Sequence, residues 1–388
     1  MSKPHCIIIG AGFTGIATAH DLALRGFDVT VVERGAIVSG TSGRTHGLLH
    51  SGARYAVKDH ESAVECIEEN ELLRKIVPQV IEPGPGLFVA VDDSDMAYRE
   101  SFIKGCADSL IDIQEITPQE ALKLEPNLTL KVITAFVVPD GTFDPLRLAL
   151  AFAATAKSNG TVFKLYTEVK ELIVDGKGNI GGVKVWDRTN DAQYELRGDM
   201  VVNATGAWAG EIAEMAGAHV PVKPTPGVMV AFDQRLTQHT INRLNKPGDG
   251  DIILTQRRML VVGTTSYEVD EVDYVVINPE HVKLMVERGA ILVPGLRNAK
   301  ERGVYVATRP LVGGGTGRSV ARTFKCFDHK ESDNVDGMVT ITGGKATTLR
   351  VMAEKMADMV CQKLGISAPC TTKEIALLSY RQFYALPN

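Results

Sequence analysis

His5-Cys6-Ile7-Ile8-Ile9-Gly10-Ala11-Gly12-Phe13-Thr14-Gly15 is the stretch whose reading decides the fold. A strand-type apolar run feeds a glycine turn, and a helical pattern follows as far as Arg25-Gly26. The next apolar run, Val29-Thr30-Val31-Val32, ends in Glu33, 18 positions beyond Gly15. Strand, turn, helix, strand and acid together form the unit that holds a dinucleotide. Each glycine has its own task. Gly10 permits the tight turn, Gly12 lets backbone amides approach a pyrophosphate, and Gly15 lets helix and strand pack closely. The helix start faces the phosphates with exposed N–H groups and a positive dipole end, while Glu33 suits a ribose diol. The motif alone does not separate FAD from NAD.

Working outward, a loop dense in Gly, Ser and Thr spans 40–52 and holds His46 and His50. A polar helix is expected over 61–77, ending before Pro78, and short strands alternate with short helices over 86–138. Asp144-Pro145 reads as an N-cap with proline at the first helical position, opening a helix over 145–158. Strands follow near 161–165 and 168–174, with a Lys177-Gly178-Asn179 turn between antiparallel partners. A buried-type strand over 200–203 runs into Ala204-Thr205-Gly206. The stretch 220–310 is strand-rich, with one helix near 279–292. An apolar strand over 338–341 meets Gly343-Gly344 and a helix over 346–364. There Leu349, Met352, Ala353, Met356, Val360 and Leu364 recur at helical spacing, and Gly365 supplies the C-cap.

The chain has 388 residues, with 42 Lys+Arg against 47 Asp+Glu. At roughly 150 residues per domain this length implies two or three lobes. Charge is not gathered in blocks, which argues against a nucleic-acid surface. No apolar run approaches the roughly 18 residues of a membrane span. The first apolar run begins too near Met1 for a leader peptide. Six cysteines lie apart without a C-x-x-C pair, so neither a disulfide framework nor a zinc or iron–sulfur site is encoded, and no metal is expected. These features describe a cytosolic-type (cytoplasmic) chain.

Longer motifs carry more information than the turn. They include Gly47-Leu48-Leu49-His50-Ser51-Gly52-Ala53-Arg54-Tyr55, Val138-Pro139-Asp140-Gly141-Thr142 and Val202-Asn203-Ala204. Gly263-Thr264-Thr265-Ser266, Arg309-Pro310-Leu311-Val312 and Thr340-Ile341-Thr342-Gly343-Gly344-Lys345 continue the series. Through them nearly the whole chain resembles the FAD-dependent glycerol-3-phosphate dehydrogenases, within the glycine-oxidase and D-amino-acid-oxidase superfamily. The resemblance is closest to the large A subunit of the anaerobic enzyme, without that protein's cysteine-rich C-terminal domain. Two departures stand out: Tyr305-Val306-Ala307-Thr308 precedes Arg309, and the Gly227-Val228-Met229 region occupies the place where some aerobic relatives carry a histidine.

The resemblance implies an α/β fold with a discontinuous, Rossmann-like FAD-binding domain from 1–80, 141–215 and 330–370. A β-rich α+β substrate domain would come from 81–140 and 216–329, followed by a C-terminal tail, 371–388. It implies non-covalent FAD held by Gly10, Gly12, Gly15, Glu33, Arg34, Thr41, Ser42, Val169, Ala204 and Gly206. Gly343, Gly344, Lys345 and Thr347 would add contacts at the flavin end. It also implies oxidation of sn-glycerol 3-phosphate to dihydroxyacetone phosphate. Arg54, Arg309 and Lys345 sit in apolar or glycine-rich contexts unlike solvated surface charges. A phosphate dianion taken out of water needs several such cations. His50 is the candidate base for the hydroxyl proton; the alternative is that His46 and His50 brace the loop. A metal reading of His46-x-x-x-His50 lacks a helix and a third ligand.

The segment 313–317 with Arg318 fails as a phosphate loop and reads as a surface turn. Carboxylates suit the same cations, so a 2-hydroxyacid dehydrogenase is the near rival, and a non-catalytic FAD-binding subunit is the rival from another class. With no cysteine cluster and no second dinucleotide turn, a separate electron-accepting subunit or a quinone is the expected acceptor. Tyr380, Phe383 and Tyr384 are either a docking cluster on the inner face of the membrane or packed core.

Overall fold

The apolar run becomes the strand His5–Ile9, pairing in parallel with Asp28–Val32 on one side and Met200–Asn203 on the other. In this computed structural model, residues 3–313 and 323–387 are described. Val162–Lys164 extends the sheet beyond Asp28–Val32, and Met338–Gly343 extends it beyond Met200–Asn203, both in parallel. Parallel strands need crossovers and cover on both faces, which is why these strands are apolar throughout rather than alternating. Ile8, Val31 and Val202 pack under the helices Phe13–Leu24, Pro145–Ser158 and Leu349–Leu364. Ile7, Ile9 and Val201 face an antiparallel three-stranded sheet of Thr167–Val174, Ile180–Asp187 and Ala192–Arg197.

Helix boundaries follow local chemistry. Asp144 accepts from the Arg147 N–H at 3.0 Å and Pro145 occupies the first turn, as the sequence predicts. Gly365 ends Leu349–Leu364 at φ +66°, where glycine pays no Cβ penalty. The stretch read as one helix from 346 is a 3-10 turn, Ala346–Thr348, leading into that helix.

The second large sheet has eight strands in the spatial order Glu301–Val312, Val222–Phe232, Met259–Gly263, Ile252–Gln256, Thr240–Arg243, Gly86–Ala90, Thr134–Val138 and Gln114–Ile116. Along Val222–Phe232 the pleat sends Val230 and Phe232 to one face, under helix Pro279–Leu292, and Met229 and Ala231 to the other. That second face looks toward the first sheet. A small sheet of Leu48–Leu49, Gly141–Phe143 and Ile81–Glu82 lies between them.

Two readings need correction. The helix Asp93–Asp108 is long, not short; only Asp95, Phe102, Gly105 and Cys106 are buried on it, so its periodic signal is faint. Phe324–Asp328, placed in the substrate segment, edges the first sheet antiparallel to Met338–Gly343; its mostly half-exposed side chains suit an edge. In the C-terminal tail, 371–388, Leu377 and Phe383 are buried in the first core. Phe383 meets Phe163 edge-on at 5.4 Å, whereas Tyr384 is 76% exposed. Gly314 to Gly317, Arg318 and Arg322 lie outside the described residues.

Candidate active site

The glycine turn closes against the neighbouring strand's end. A Cβ on Gly10 would meet the Ala204 carbonyl oxygen at 2.8 Å, and one on Gly15 would meet the Gly10 oxygen at 2.0 Å. A Cβ on Gly12 would have the Ser42 hydroxyl nearest, at 3.1 Å, and the turn opens on a cavity of about 970 Å³. Ser42 Oγ accepts from the Phe13 N–H (3.0 Å), and Thr41 Oγ1 donates to the Thr308 carbonyl (2.7 Å). Glu33, half-buried, accepts from the Ala11 N–H (2.9 Å) and the Gly35 N–H (2.8 Å), one on each oxygen. A carboxylate has about four acceptor positions, so it braces the turn and can still receive a diol. Val169, Ala204, Gly206, Gly343 and Gly344 line the same cavity. Glycine turn, helix start, acid and a cavity of this volume fit a dinucleotide.

At the cavity's other end the cations converge. Arg54, 8% exposed, donates to the Gly248 carbonyl (3.2 Å) and lies 3.6 Å from Asp251. Arg309 reaches Thr264 Oγ1 (2.8 Å) and the Thr265 carbonyl (2.9 Å). Lys345 Nζ sits 3.1 Å from Ser62 Oγ, 3.9 Å from Glu65 and 5.2 Å from the Tyr55 ring centre. His46 records the field between them. Burial first, then the charges of Arg309 and Arg54, push its imidazole down to about 3, so it is neutral at pH 7. His50 Nε2 faces the Tyr55 hydroxyl at 3.5 Å, and its ring lies 6.1 Å from that of His46.

Behind this front Asp140, 2% exposed, accepts from the Ser51 N–H (2.7 Å), Ser51 Oγ (2.8 Å) and Asn242 Nδ2 (3.2 Å). Burial pushes its carboxyl up, against those hydrogen bonds. It pins the turn that presents His50 and Arg54 to the second sheet. Sequence reasoning quoted Asp140 and Tyr55 inside motifs without a role. It passed over Lys58 and Lys246, exposed at the cavity mouth. A lysine beside each of two glycine-containing loops was the available signal.

One expectation changes. Thr347, expected to offer its hydroxyl to the cofactor, is fully buried and accepts from the His50 N–H at 3.0 Å; the 3-10 turn points it inward, beneath the histidine. Arg34 lines the same cavity as the glycine turn, bonded to Asp273 at 2.6 Å and stacked 4.5 Å from the Trp208 ring centre.

Comparison with known proteins agrees with this geometry. The family profile described as DAO, FAD dependent oxidoreductase, matches residues 5–359. The chain is 42% identical over 373 residues to the A subunit of the anaerobic glycerol-3-phosphate dehydrogenase of Haemophilus influenzae, covering 95% of this chain and 66% of that protein. It is likewise 42% identical over 376 residues to the protein of the same name from Escherichia coli K12, covering 96% and 69%. It thus spans about two thirds of the length of these relatives. A glycerol-3-phosphate dehydrogenase from Bacillus halodurans, solved with FAD, has the same fold, with a TM-score of 0.76 at 23% identity over 97% of this chain and 68% of its own.

Proposed function

The chain belongs to the family of FAD-dependent oxidoreductases, and from that premise we propose that it oxidises sn-glycerol 3-phosphate to dihydroxyacetone phosphate. The observation that carries the reading is the convergence of Arg54, Arg309 and Lys345 on one cavity with the glycine turn, in a chain so similar to the two dehydrogenase subunits. FAD, when bound, would supply the acceptor for the hydride that leaves C2. We assign its non-covalent binding to the cavity of Gly10, Gly12 and Glu33. The division of labour follows the two large sheets, the first holding cofactor and the second supplying Arg309, with Lys345 added from the end of the first.

The residues' tasks follow from charge and reach. Arg54 and Arg309 give planar donor forks to a phosphate, and Lys345 adds a mobile point charge. Partial burial makes these contacts stronger than they would be in water. His50 takes the C2 hydroxyl proton at Nε2 as hydride departs, with the Tyr55 hydroxyl beside that nitrogen. Thr347 and Asp140 hold His50 and its turn in place. The two relatives are named as subunits, which supports electron hand-over to a partner protein or quinone.

The test is anaerobic bleaching of the bound flavin. Glycerol 3-phosphate should bleach it and 2-hydroxyglutarate should not. The reverse order would turn the assignment to a 2-hydroxyacid dehydrogenase, and no bleaching with either would support a non-catalytic role.

A further inference from the structure

After Met259–Gly263 the chain runs on through residues 264–278 before helix Pro279–Leu292. Its first part continues beside Val222–Phe232. The Thr265 N–H donates to the Val228 carbonyl (3.4 Å), that of Tyr267 to Pro226 (3.4 Å), and that of Val269 to Pro224 (3.2 Å). Steps of two on both sides make this an antiparallel ladder. Pro224 and Pro226 have no N–H to give back, so it is one-sided and weaker than a full strand pair.

The segment starts at Arg309, which donates to Thr264 Oγ1 and the Thr265 carbonyl. It then crosses to the cavity's far end, where Val272 and Asp273 line the hollow together with Glu33 and Val169. There one oxygen of Asp273 takes two donors, Arg34 at 2.6 Å and Trp208 Nε1 at 2.8 Å. The Arg34 guanidinium lies over the same Trp208 ring. Burial pushes the Asp273 carboxyl up, but Arg34 and Trp208 outweigh it and leave it below the usual range. Arg34 follows a strand of the first sheet and Trp208 follows its Ala204-Thr205-Gly206 turn, whereas Asp273 hangs from the second sheet. The contact therefore bridges the two sides of the cavity.

We infer that residues 264–273 form a strap over the cofactor cavity, latched at its outer end by Asp273 on Arg34 and Trp208, and that this latch governs how fast FAD leaves. The inference rests on the family's cofactor and is independent of the substrate. Arg309 pins one end, so the outer end is the one that opens. A lone exposed ion pair contributes little, and Arg34 and Asp273 are 42% and 59% exposed. The shared oxygen and the stacked cation make this a network of three, whose loss should speed release about tenfold.

The experiment times the rise of free-flavin fluorescence after dilution of the holoenzyme. Asp273→Ala should release FAD about tenfold faster than the parent protein. Asp273→Asn should fall between, since it keeps an acceptor for Trp208. Arg34→Met should speed release less when added to Asp273→Ala than when made in the parent protein, because its partner is already gone. Equal release from parent and Asp273→Ala overturns the latch, and so does a double variant whose effects multiply. Melting of the apoprotein separates a latch from a structural tie. Asp273→Ala should lower the melting temperature of the holoenzyme alone, and an equal fall in the apoprotein overturns the proposal. The parent's flavin spectrum, recorded first, tests the cofactor itself.

Discussion

Arg309 is shaped by what it touches at its own scale. Its guanidinium is aimed by Thr264 Oγ1 and by the carbonyls of Pro226 and Thr265, and a Cβ on Gly227 would stand 2.9 Å from its Nη1. Glycine at 227 is therefore what lets the arginine lie across that strand. Lys345 is held differently, by a hydroxyl, a distant carboxylate and an aromatic face. Replacing either with methionine keeps much of the stem's packing and removes the charge. Loss of one partner from a desolvated charged contact costs about 2–5 kcal/mol, roughly 30- to several-thousand-fold. The specificity constant for glycerol 3-phosphate should fall by that order, while activity on unphosphorylated glycerol, expected to be poor in the parent protein, should change little. Equal losses on both alcohols would remove these residues from phosphate recognition.

Elements show where reading a sequence succeeds and where it stops. The helix Pro145–Ser158 was legible from Asp144-Pro145 alone, since cap and proline act within one turn. Gly10, Gly12 and Gly15 were legible because backbone contact leaves so few residue choices. Strand order was not legible: Phe324–Asp328 joins the first sheet through partners that periodicity does not name. Nor was Thr347's inward turn, because three residues of 3-10 geometry rotate a side chain away from where an α-helix would put it. The tie between helices was equally hidden. Arg350, 1% exposed, donates from Nε to both Glu69 oxygens at 3.1 and 3.0 Å. It also reaches Glu354 (2.6 Å) and Thr372 (3.0 Å), fastening Leu349–Leu364 to His60–Ile76 and to the chain's last segment. Arg350→Ala leaves Glu69 buried without its cation and should cost about 3–5 kcal/mol. Pairing Arg350→Met with Glu69→Leu should recover most of it. Urea unfolding of the three proteins measures this, and a double variant as weak as the single would show that the pair does more than satisfy itself.

At the scale of the whole molecule, one cavity takes its lining from both large sheets, the glycine turn of the first and Arg309 of the second among it. Electrons that reach the cofactor must then leave it. The six cysteines are free and scattered, and among the described residues no helix is long and apolar enough to cross a membrane. The relatives are about half as long again and are named as subunits. The proposed reaction therefore passes its electrons outward, to another protein or a quinone. Of the aromatic residues near its last position, Phe383 is committed to the core, and Tyr384 alone is largely exposed, so the aromatic cluster is a weak candidate for the exit. Given glycerol 3-phosphate, the purified protein should reduce artificial dyes quickly and consume oxygen slowly. Oxygen uptake and dye reduction on one preparation make the comparison. Hydrogen peroxide formed as fast as dye is reduced would make the protein an oxidase, and the need for a partner would disappear.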